Sequence, residues 1–285
     1  MRKFEDFDKI KDWLLPEYEN EEELIKKMLL GSNLYGTILV DAYRRVDIPK
    51  MKKALKNLCG KGDEKPFGTY GIYVYWNFYT KEILYIGLSK NLINRFSQHN
   101  SNQGRIKGNK SAKIRVYFQM HEKLGFSILL QPPLVQDFDL AFSFDKDTEV
   151  KLIESSLFQS FIDQNGCLPP WNEAEGSKTG RLNDFVNRYG DVLDMLNLKS
   201  PGYLNSNYSI RELENNIEYQ KYECDLNLIR AHMYQWKTPF EETVAKVINW
   251  NNFIASKGNL LGIESNIRIM KLLDSSYLNK KRISL

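Results

Sequence analysis

Arg95 and His99 are a pair of residues that could act together on an anion. They end a tyrosine-rich segment, GIYVYWNFYTKEILYIGLSKNLINRFSQH, which runs from residue 71 to residue 99. A spacing of four places the guanidinium and the imidazole on one face of a helix, beside the apolar Leu92 and Phe96. Alone, each would be interpreted as a surface arginine or a hydrogen-bonded histidine. Next to these apolar neighbours, the pair is predicted to face the interior or the edge of the domain.

Glu154 is a carboxylate in an apolar setting. The segment DTEVKLIESSLFQSFI has the spacing of a helix, and its apolar stripe consists of Val150, Ile153, Leu157, Phe158 and Phe161. At about 100° per residue, Glu154 falls in the middle of that stripe. A carboxylate there must be paired or bound to a cation.

The elements that must position these groups begin with two strands. GIYVYW and ILYIGL alternate with period two, and NFYTK between them predicts a hairpin in which Trp76 pairs with Glu82. That register sets Tyr73 opposite Tyr85. The two phenols are therefore predicted to be cross-strand neighbours on one face.

The same register sets Gly71 opposite Gly87, which would leave an open floor where a phosphate could approach the backbone. The other face would pack into the core through Ile72, Val74, Leu84 and Ile86. Tyrosine is also a favoured strand residue, and cross-strand aromatic pairs stabilise sheets. The tyrosine pattern alone therefore favours a structural role.

Five elements occur in an order that resembles the GIY-YIG nuclease superfamily. They are GIY at 71–73, YIG at 85–87, Arg95, Glu154 and the Asn172 of LPPWNEAEGS. The resemblance covers residues 70 to about 177. It implies an α+β fold, a small three-stranded antiparallel sheet flanked by helices, that hydrolyses phosphodiesters. His99, four residues after the arginine, is similar to the variant found among restriction-type members.

The resemblance also implies roles for six residues. Tyr73 would be the general base, and Tyr85 would orient the water or the scissile phosphate. Arg95 would stabilise the phenolate and contact the phosphate, and His99 would relay the proton from Tyr73 or bond the phosphate. Glu154 would hold Mg²⁺ or Mn²⁺, and Asn172 would fix the local geometry. A phenol with a pKa near 10 is a poor base at neutral pH unless a metal and a nearby cation stabilise its phenolate.

A basic segment between Leu88 and His121 contains no acidic residue. A patch of one sign attracts phosphate backbones, although most charge runs are solvated surface. The residues predicted to contact double-stranded DNA are Lys90, Arg105, Lys107, Lys110, Lys113 and Arg115. Most of them lie in an insertion of some forty residues, which precedes a strand predicted at FDLAFSF, residues 138–144.

The chain of 285 residues is long enough for a core domain with additions. Residues 1–65 are predicted to form a helical N-terminal extension, residues 66–180 the nuclease core with its basic insertion, and residues 181–285 a helical C-terminal region. These boundaries follow shifts in hydrophobic periodicity and in turn residues.

Composition and cysteine usage exclude several classes of protein. With 42% hydrophobic and 27% charged residues, the chain is typical of a globular protein. No apolar run approaches the roughly 20 residues that span a bilayer, so neither membrane insertion nor secretion is expected. The three cysteines have no C-x-x-C spacing, which favours neither a disulfide framework nor a zinc site and fits the cytoplasm.

Four biological roles fit these residues. The flanks contain no recognisable modular DNA-reading tail or repair domain, which favours a sequence-specific type II restriction enzyme. A homing nuclease and a structure-specific or repair nuclease are alternatives, as is a DNA-binding protein with a lapsed nuclease core. All the expected catalytic positions are filled, which argues against the last. The sequence leaves the oligomeric state open, a homodimer being one arrangement.

Overall fold

The computed structural model describes residues 37–59, 70–101, 110–130, 146–174, 176, 192–200, 204–257 and 260–279. Their elements are β1 (Thr37–Arg44), a 3-10 turn (Arg45–Asp47), α1 (Ile48–Leu58), β2 (Gly71–Asn77), β3 (Ile83–Ser89), α2 (Leu92–His99), α3 (Ser111–Met120), β4 (Lys123–Leu130), α4 (Lys146–Asn165), α5 (Ile210–Leu213), α6 (Ile217–Trp236), α7 (Phe240–Ser256) and α8 (Leu260–Asp274). Among these described helices, none has the length and apolar character needed to cross a membrane.

The described strands form one antiparallel sheet in the order β1-β4-β2-β3. The predicted α+β class is confirmed, but the sheet has four strands instead of three. The additional strand, Thr37–Arg44, lies in the segment that was predicted to be helical, and that prediction is wrong for these residues. Its apolar residues pack alternately on the two faces of the sheet, Leu39 and Tyr43 on one and Ile38, Val40 and Ala42 on the other. The strand pairs along its whole length with β4, from Thr37 opposite Leu130 to Arg44 opposite Lys123.

The central strand β4 comes earlier in the chain than the sequence indicated. It occupies Lys123–Leu130, inside the predicted insertion. The predicted strand at residues 138–144 lies outside the described residues. β4 pairs with both β1 and β2 and is therefore an interior strand of the sheet. Its side chains contribute to the hydrophobic clusters on both faces, and seven of its eight residues are buried.

The hairpin of β2 and β3 forms as predicted, but in a different register. Tyr75 is opposite Tyr85, and Tyr73 is opposite Gly87. The prediction that Tyr73 faces Tyr85 directly, and Gly71 faces Gly87, is wrong by two residues. An irregularity between Tyr75 and Trp76 adds one residue to β3. A slip of two residues keeps every side chain on its face, so the two phenols still share one.

Both faces of the sheet are covered, which explains why residues 71–76 are buried without interruption. One face carries Tyr73 and Tyr75 against α1, α2 and α3. The other carries Ile72, Val74 and Ile86 against α4 and a short helical segment at 192–196. Leu84, which was predicted to lie with Ile86, packs instead on the tyrosine face. We attribute this change of face to the extra residue in β3, because it shifts by one position the pattern in which successive side chains point to opposite faces of the sheet.

The C-terminal helices are attached to the exposed edge of β1. The backbone N–H of Ile38 donates to the Oδ1 of Asn227 on α6 at 3.0 Å. The buried carboxylate of Asp41 accepts from the guanidinium of Arg211 on α5 at 2.8 Å. These contacts satisfy polar groups that an open edge strand would present to another chain.

Candidate active site

Tyr73 is the centre of a buried polar cluster on one face of the sheet. Its phenol oxygen lies 2.8 Å from the Nε2 of His99 and donates to the hydroxyl of Tyr85 at 3.4 Å. β2 supplies the first tyrosine, β3 the second and the last turn of α2 the histidine. His99 is fully buried, whereas Tyr85 is half-buried and therefore lies nearer to solvent. The expected shared face of the two phenols is confirmed.

Gly87 is the residue that makes room for the phenols. A Cβ added there would lie 2.8 Å from the hydroxyl of Tyr73 and 2.6 Å from the ring of Tyr85, closer than real Cβ contacts. A Cβ at Gly71 would meet the carbonyl oxygen of Leu129 at 2.4 Å. The predicted open floor between these glycines is therefore wrong, because tyrosine rings and a neighbouring strand fill it.

Burial raises the pKa of both phenols, whereas their mutual hydrogen bond raises the pKa of Tyr73 and lowers that of Tyr85. The pKa of Tyr73 is well above its ordinary value, first because burial penalises the phenolate and then because Tyr85 and the Glu154 carboxylate lie near it. The Arg95 guanidinium opposes this and lowers the pKa. The pKa of Tyr85 is raised by burial and lowered by the hydrogen bond from Tyr73 and by Arg95. Arg95 and Glu154 thus have opposite effects on the pKa of each phenol.

Arg95 projects from the middle of α2 towards the solvent side of the cluster. Its Nη1 donates to the Oε1 of Gln98, one turn later, at 3.4 Å. The two side chains line a cavity of about 350 Å³ together with Leu88, Ser89, Lys90, Asn91 and Asn94. A guanidinium beside an open polar cavity can meet an anion without displacing the core.

Glu154 lies on α4, which packs on the sheet face opposite the phenols, and its charge raises the pKa of both of them. Its side chain is 9% exposed, as expected for a carboxylate on an apolar stripe, and it lies on the same helix as the buried Leu157 and Phe158. A Cβ at Gly176 would lie 3.1 Å from its Oε2. Within the described residues no group of three or more His, Cys, Asp or Glu could hold a metal.

Asn172 closes the open edge of β3. Its side chain accepts from the N–H of Ile86 at 3.0 Å and donates to the carbonyl of Ile86 at 2.8 Å. The N–H of Trp171 donates to the carbonyl of Leu84 at 2.8 Å. The side-chain amide thus replaces the backbone of a missing neighbour strand beside Tyr85 and Gly87. Asn172 fixes the backbone of β3 and does not touch the phenols through these bonds.

The residues predicted to contact DNA fall into three groups. Lys90 and Arg115 are exposed. Lys110 and Lys113 both pair with the exposed Glu173, at 3.2 and 3.5 Å, and Lys110 is buried. The predicted contacts at Arg105 and Lys107 lie outside the described residues.

The sequence prediction overlooked two positions next to the site. Gln98 holds Arg95, and its position three residues later on the same helix was the available signal. Lys110 was assigned to the DNA surface, but its backbone N–H donates to the Nδ1 of His99 at 2.9 Å and its Nζ lies 5.4 Å from the centre of the Tyr85 ring. Nothing in the spacing of the lysine indicated either contact.

Comparison with known proteins identifies one region of the chain. Residues 69–129 match the family model of the GIY-YIG catalytic domain. The matched segment contains both phenols, Arg95 and His99, and it ends before Glu154. The search of curated proteins and the search of solved structures found no match.

Proposed function

We propose that this chain, a member of the GIY-YIG nuclease superfamily, is a metal-dependent endonuclease that hydrolyses phosphodiester bonds in double-stranded DNA, with Tyr73 as the general base. The observation that carries the proposal is the set of groups around one phenol oxygen. An imidazole nitrogen lies 2.8 Å from it, a second phenol 3.4 Å from it, and one cation and one carboxylate act on its pKa.

Hydrolysis of a phosphodiester needs an activated water in line with the leaving oxygen and positive charge around the phosphorus. Tyr73 would accept the proton of that water in its phenolate form. Because its pKa is raised, the phenolate is the minor form at neutral pH, and Arg95 is the described group that favours it electrostatically. The same guanidinium, beside the polar cavity, would contact the scissile phosphate.

Glu154 fits a single-carboxylate site for Mg²⁺ or Mn²⁺. These ions prefer oxygen ligands, keep several waters and commonly use one or two carboxylates together with substrate phosphate. One buried carboxylate near both phenols satisfies that requirement, and a larger acidic cluster is not needed. When bound, the ion would neutralise charge on the phosphate and supply a water for the leaving oxygen. Glu154 would hold it, and Tyr85 would orient the water or the phosphate.

The exposed bases would bind the DNA backbone. Lys90 borders the same cavity as Arg95, and Arg115 lies on the outer side of α3. Arg105 and Lys107, which lie outside the described residues, remain DNA contacts proposed from the sequence alone. Lys110 and Lys113 are compensated by Glu173, so we assign them a smaller share of the binding energy than in the sequence prediction. The contacts expected are with phosphates, which position the duplex without reading its sequence.

Within this activity we propose a type II restriction enzyme acting in the cytoplasm. The chain outside the matched segment includes β1, which completes the sheet, and α5 and α6, which contact the β1 edge. Such additions suit an enzyme that reads one site with elements built onto its core. Cys59, Cys167 and Cys224 are free thiols, which suits a reducing compartment. Homing and repair roles remain the alternatives.

A cleavage assay tests the proposal. Purified protein is incubated with plasmid and phage DNA in Mg²⁺, in Mn²⁺ and with a chelator. Discrete fragments in the presence of metal, absent with chelator, are expected for a restriction enzyme. A smear of fragments would favour a nuclease without sequence specificity. Cleavage restricted to branched substrates would favour a structure-specific nuclease. DNA binding without cleavage under every condition would identify a lapsed nuclease.

A further inference from the structure

His99 lies between two partners that determine where its proton can be. Its Nε2 faces the phenol oxygen of Tyr73 at 2.8 Å, and its Nδ1 accepts from the backbone N–H of Lys110 at 2.9 Å. The ring is fully buried. Each ring nitrogen therefore has one assigned hydrogen-bond partner.

The second contact decides the tautomer. A backbone amide can only donate, so Nδ1 must present a lone pair and carries no proton. A neutral imidazole then has its proton on Nε2, which donates it to the oxygen of Tyr73. To accept a proton, His99 would have to bind it at Nδ1, where it would face the N–H of Lys110 directly. The hydrogen bond would then be lost, and the Nδ1–H of His99 would point at the backbone N–H of Lys110.

We infer that Lys110 is a positioning residue whose backbone amide holds His99 as a permanent donor to Tyr73, so that His99 stabilises the phenolate and does not take the proton of Tyr73. The inference rests on the proposed function, because it assigns a role relative to Tyr73 as base. The proton of Tyr73 points to the hydroxyl of Tyr85 at 3.4 Å. The O–H bond of Tyr73 breaks on that side: its proton passes to the hydroxyl oxygen of Tyr85, and the half-buried Tyr85 releases its own proton to solvent water, so that Tyr73 is left as the phenolate and Tyr85 stays neutral.

The backbone of Lys110 is itself held in place. Its carbonyl accepts from the N–H of Ile114 at 2.9 Å, in the first turn of α3. Its side chain is buried, and Nζ bonds the carboxylate of Glu173 at 3.2 Å. Glu173 follows Asn172, which pairs with β3. The amide, the histidine and the strand that carries Tyr85 are thus joined by contacts that do not involve DNA.

The tautomer can be measured without any cleavage assay. Nitrogen NMR on full-length protein labelled with ¹⁵N-histidine distinguishes a protonated from an unprotonated ring nitrogen, and the chain has only three histidines. The His99→Gln variant assigns the His99 signals. The inference requires a proton on Nε2 and none on Nδ1 at neutral pH. A proton on Nδ1, with or without one on Nε2, would overturn it, whatever the protein does to DNA.

Two substitutions at His99 separate donation from proton acceptance. Gln places an amide N–H₂ near Tyr73 and cannot act as a base, whereas Glu places a carboxylate there that can. We expect His99→Gln to keep cleavage within about tenfold of wild type and His99→Glu to lose about 100-fold or more. An equal loss in both, or a faster Glu variant, would contradict the inference. If wild type cleaves nothing, the proposed function fails and the tautomer measurement still decides.

The amide itself can be removed. Lys110→Pro has no backbone N–H, and Lys110→Ala is its matched control, because both lack the ammonium group. The proline variant should cleave about tenfold more slowly than the alanine variant and should show a mixture of His99 tautomers. Identical rates and tautomers in two folded variants would show that the amide positions nothing. If the proline variant fails to fold, the wild-type tautomer remains the deciding result.

Discussion

Two regions of this molecule bury tyrosine next to charge, and only one of them is built like an active site. At the sheet, Tyr73 contacts His99 and Tyr85. Among the C-terminal helices, the phenol of Tyr277 donates to the carboxylate of Glu223, which also accepts from Arg230 at 2.5 Å. In both regions burial raises the pKa of the central tyrosine well above its ordinary value. A perturbed pKa alone therefore does not distinguish them.

The two regions differ in their access to solvent and in how completely their charges are paired. Glu223, Arg230 and Tyr277 are all at most 2% exposed, and their charges compensate one another. Beside Tyr73, in contrast, Arg95 lines a cavity and the phenol of Tyr85 is half-buried. A closed network of this kind holds helices together, whereas a network with one open side can meet a substrate. Perturbed pKa values occur in structural ion-pair networks as well as at functional sites.

The largest difference between the two regions should appear on replacing one charged residue in each. Glu154→Gln should reduce cleavage roughly 10³-fold, because the amide is a poor ligand for a divalent ion. DNA binding should change less than about threefold, because phosphate contacts supply the affinity. Single-turnover cleavage and fluorescence anisotropy measure the two. Wild-type cleavage at saturating Mg²⁺ would remove Glu154 from the metal site.

The C-terminal network should respond in stability instead of in chemistry. Arg230→Met leaves the Glu223 carboxylate buried without its cation, which should lower the free energy of unfolding by about 3–5 kcal/mol. Urea unfolding measures this loss. The cleavage rate per folded molecule, determined well below the midpoint, should stay at the wild-type value. A drop in that rate would mean that the two regions are coupled.

The pH dependence sharpens the comparison further. Because the pKa of Tyr73 is raised, its phenolate fraction increases about tenfold for each pH unit across the neutral range. The single-turnover rate at saturating metal should rise with that slope between pH 6 and 8.5. A rate that is flat over this range would show that the base is already ionised at neutral pH, or that Tyr73 is not the base.

The smallest expected effect concerns the DNA surface. Arg115→Gln removes an exposed cation and should reduce the slope of log affinity against log salt by about 0.9, the contribution of one phosphate contact. Lys113→Gln is the matched comparison, because its ammonium already pairs with Glu173 at 3.5 Å. We expect it to change the slope less. Equal slopes for both variants and wild type would show that the surface at Arg115 and Lys113 is ordinary solvated surface without DNA contacts.

The sequence predicted those parts of the site that depend on local periodicity. Alternation along β2 and β3 placed the two phenols on one face, and helical spacing placed Glu154 on a buried stripe. The register was missed because the added residue in β3, Leu84, breaks the alternation of side chains just before Tyr85. β1 was missed because its pairing depends on β4, which lies about eighty residues away in the chain.

The tautomer of His99 was beyond any pattern in the sequence. It depends on a backbone amide eleven residues later, and every residue except proline carries such an amide. The same applies to Lys110, whose type suggested a DNA contact while its buried position gives it a different partner. Composition indicates what a side chain can do, but the tertiary contact decides which of those abilities is used.

The comparison of the two regions rests on Tyr73, and one measurement tests it most directly. Single-turnover cleavage is determined for Tyr73→Phe and for Tyr277→Phe, each of which deletes one buried hydroxyl and leaves the ring in place. We expect Tyr73→Phe to lose at least about 10²-fold in rate with unchanged stability of the DNA complex, and Tyr277→Phe to cleave at the wild-type rate while unfolding at lower urea. A Tyr73→Phe variant that cleaves within a few-fold of wild type would contradict the account.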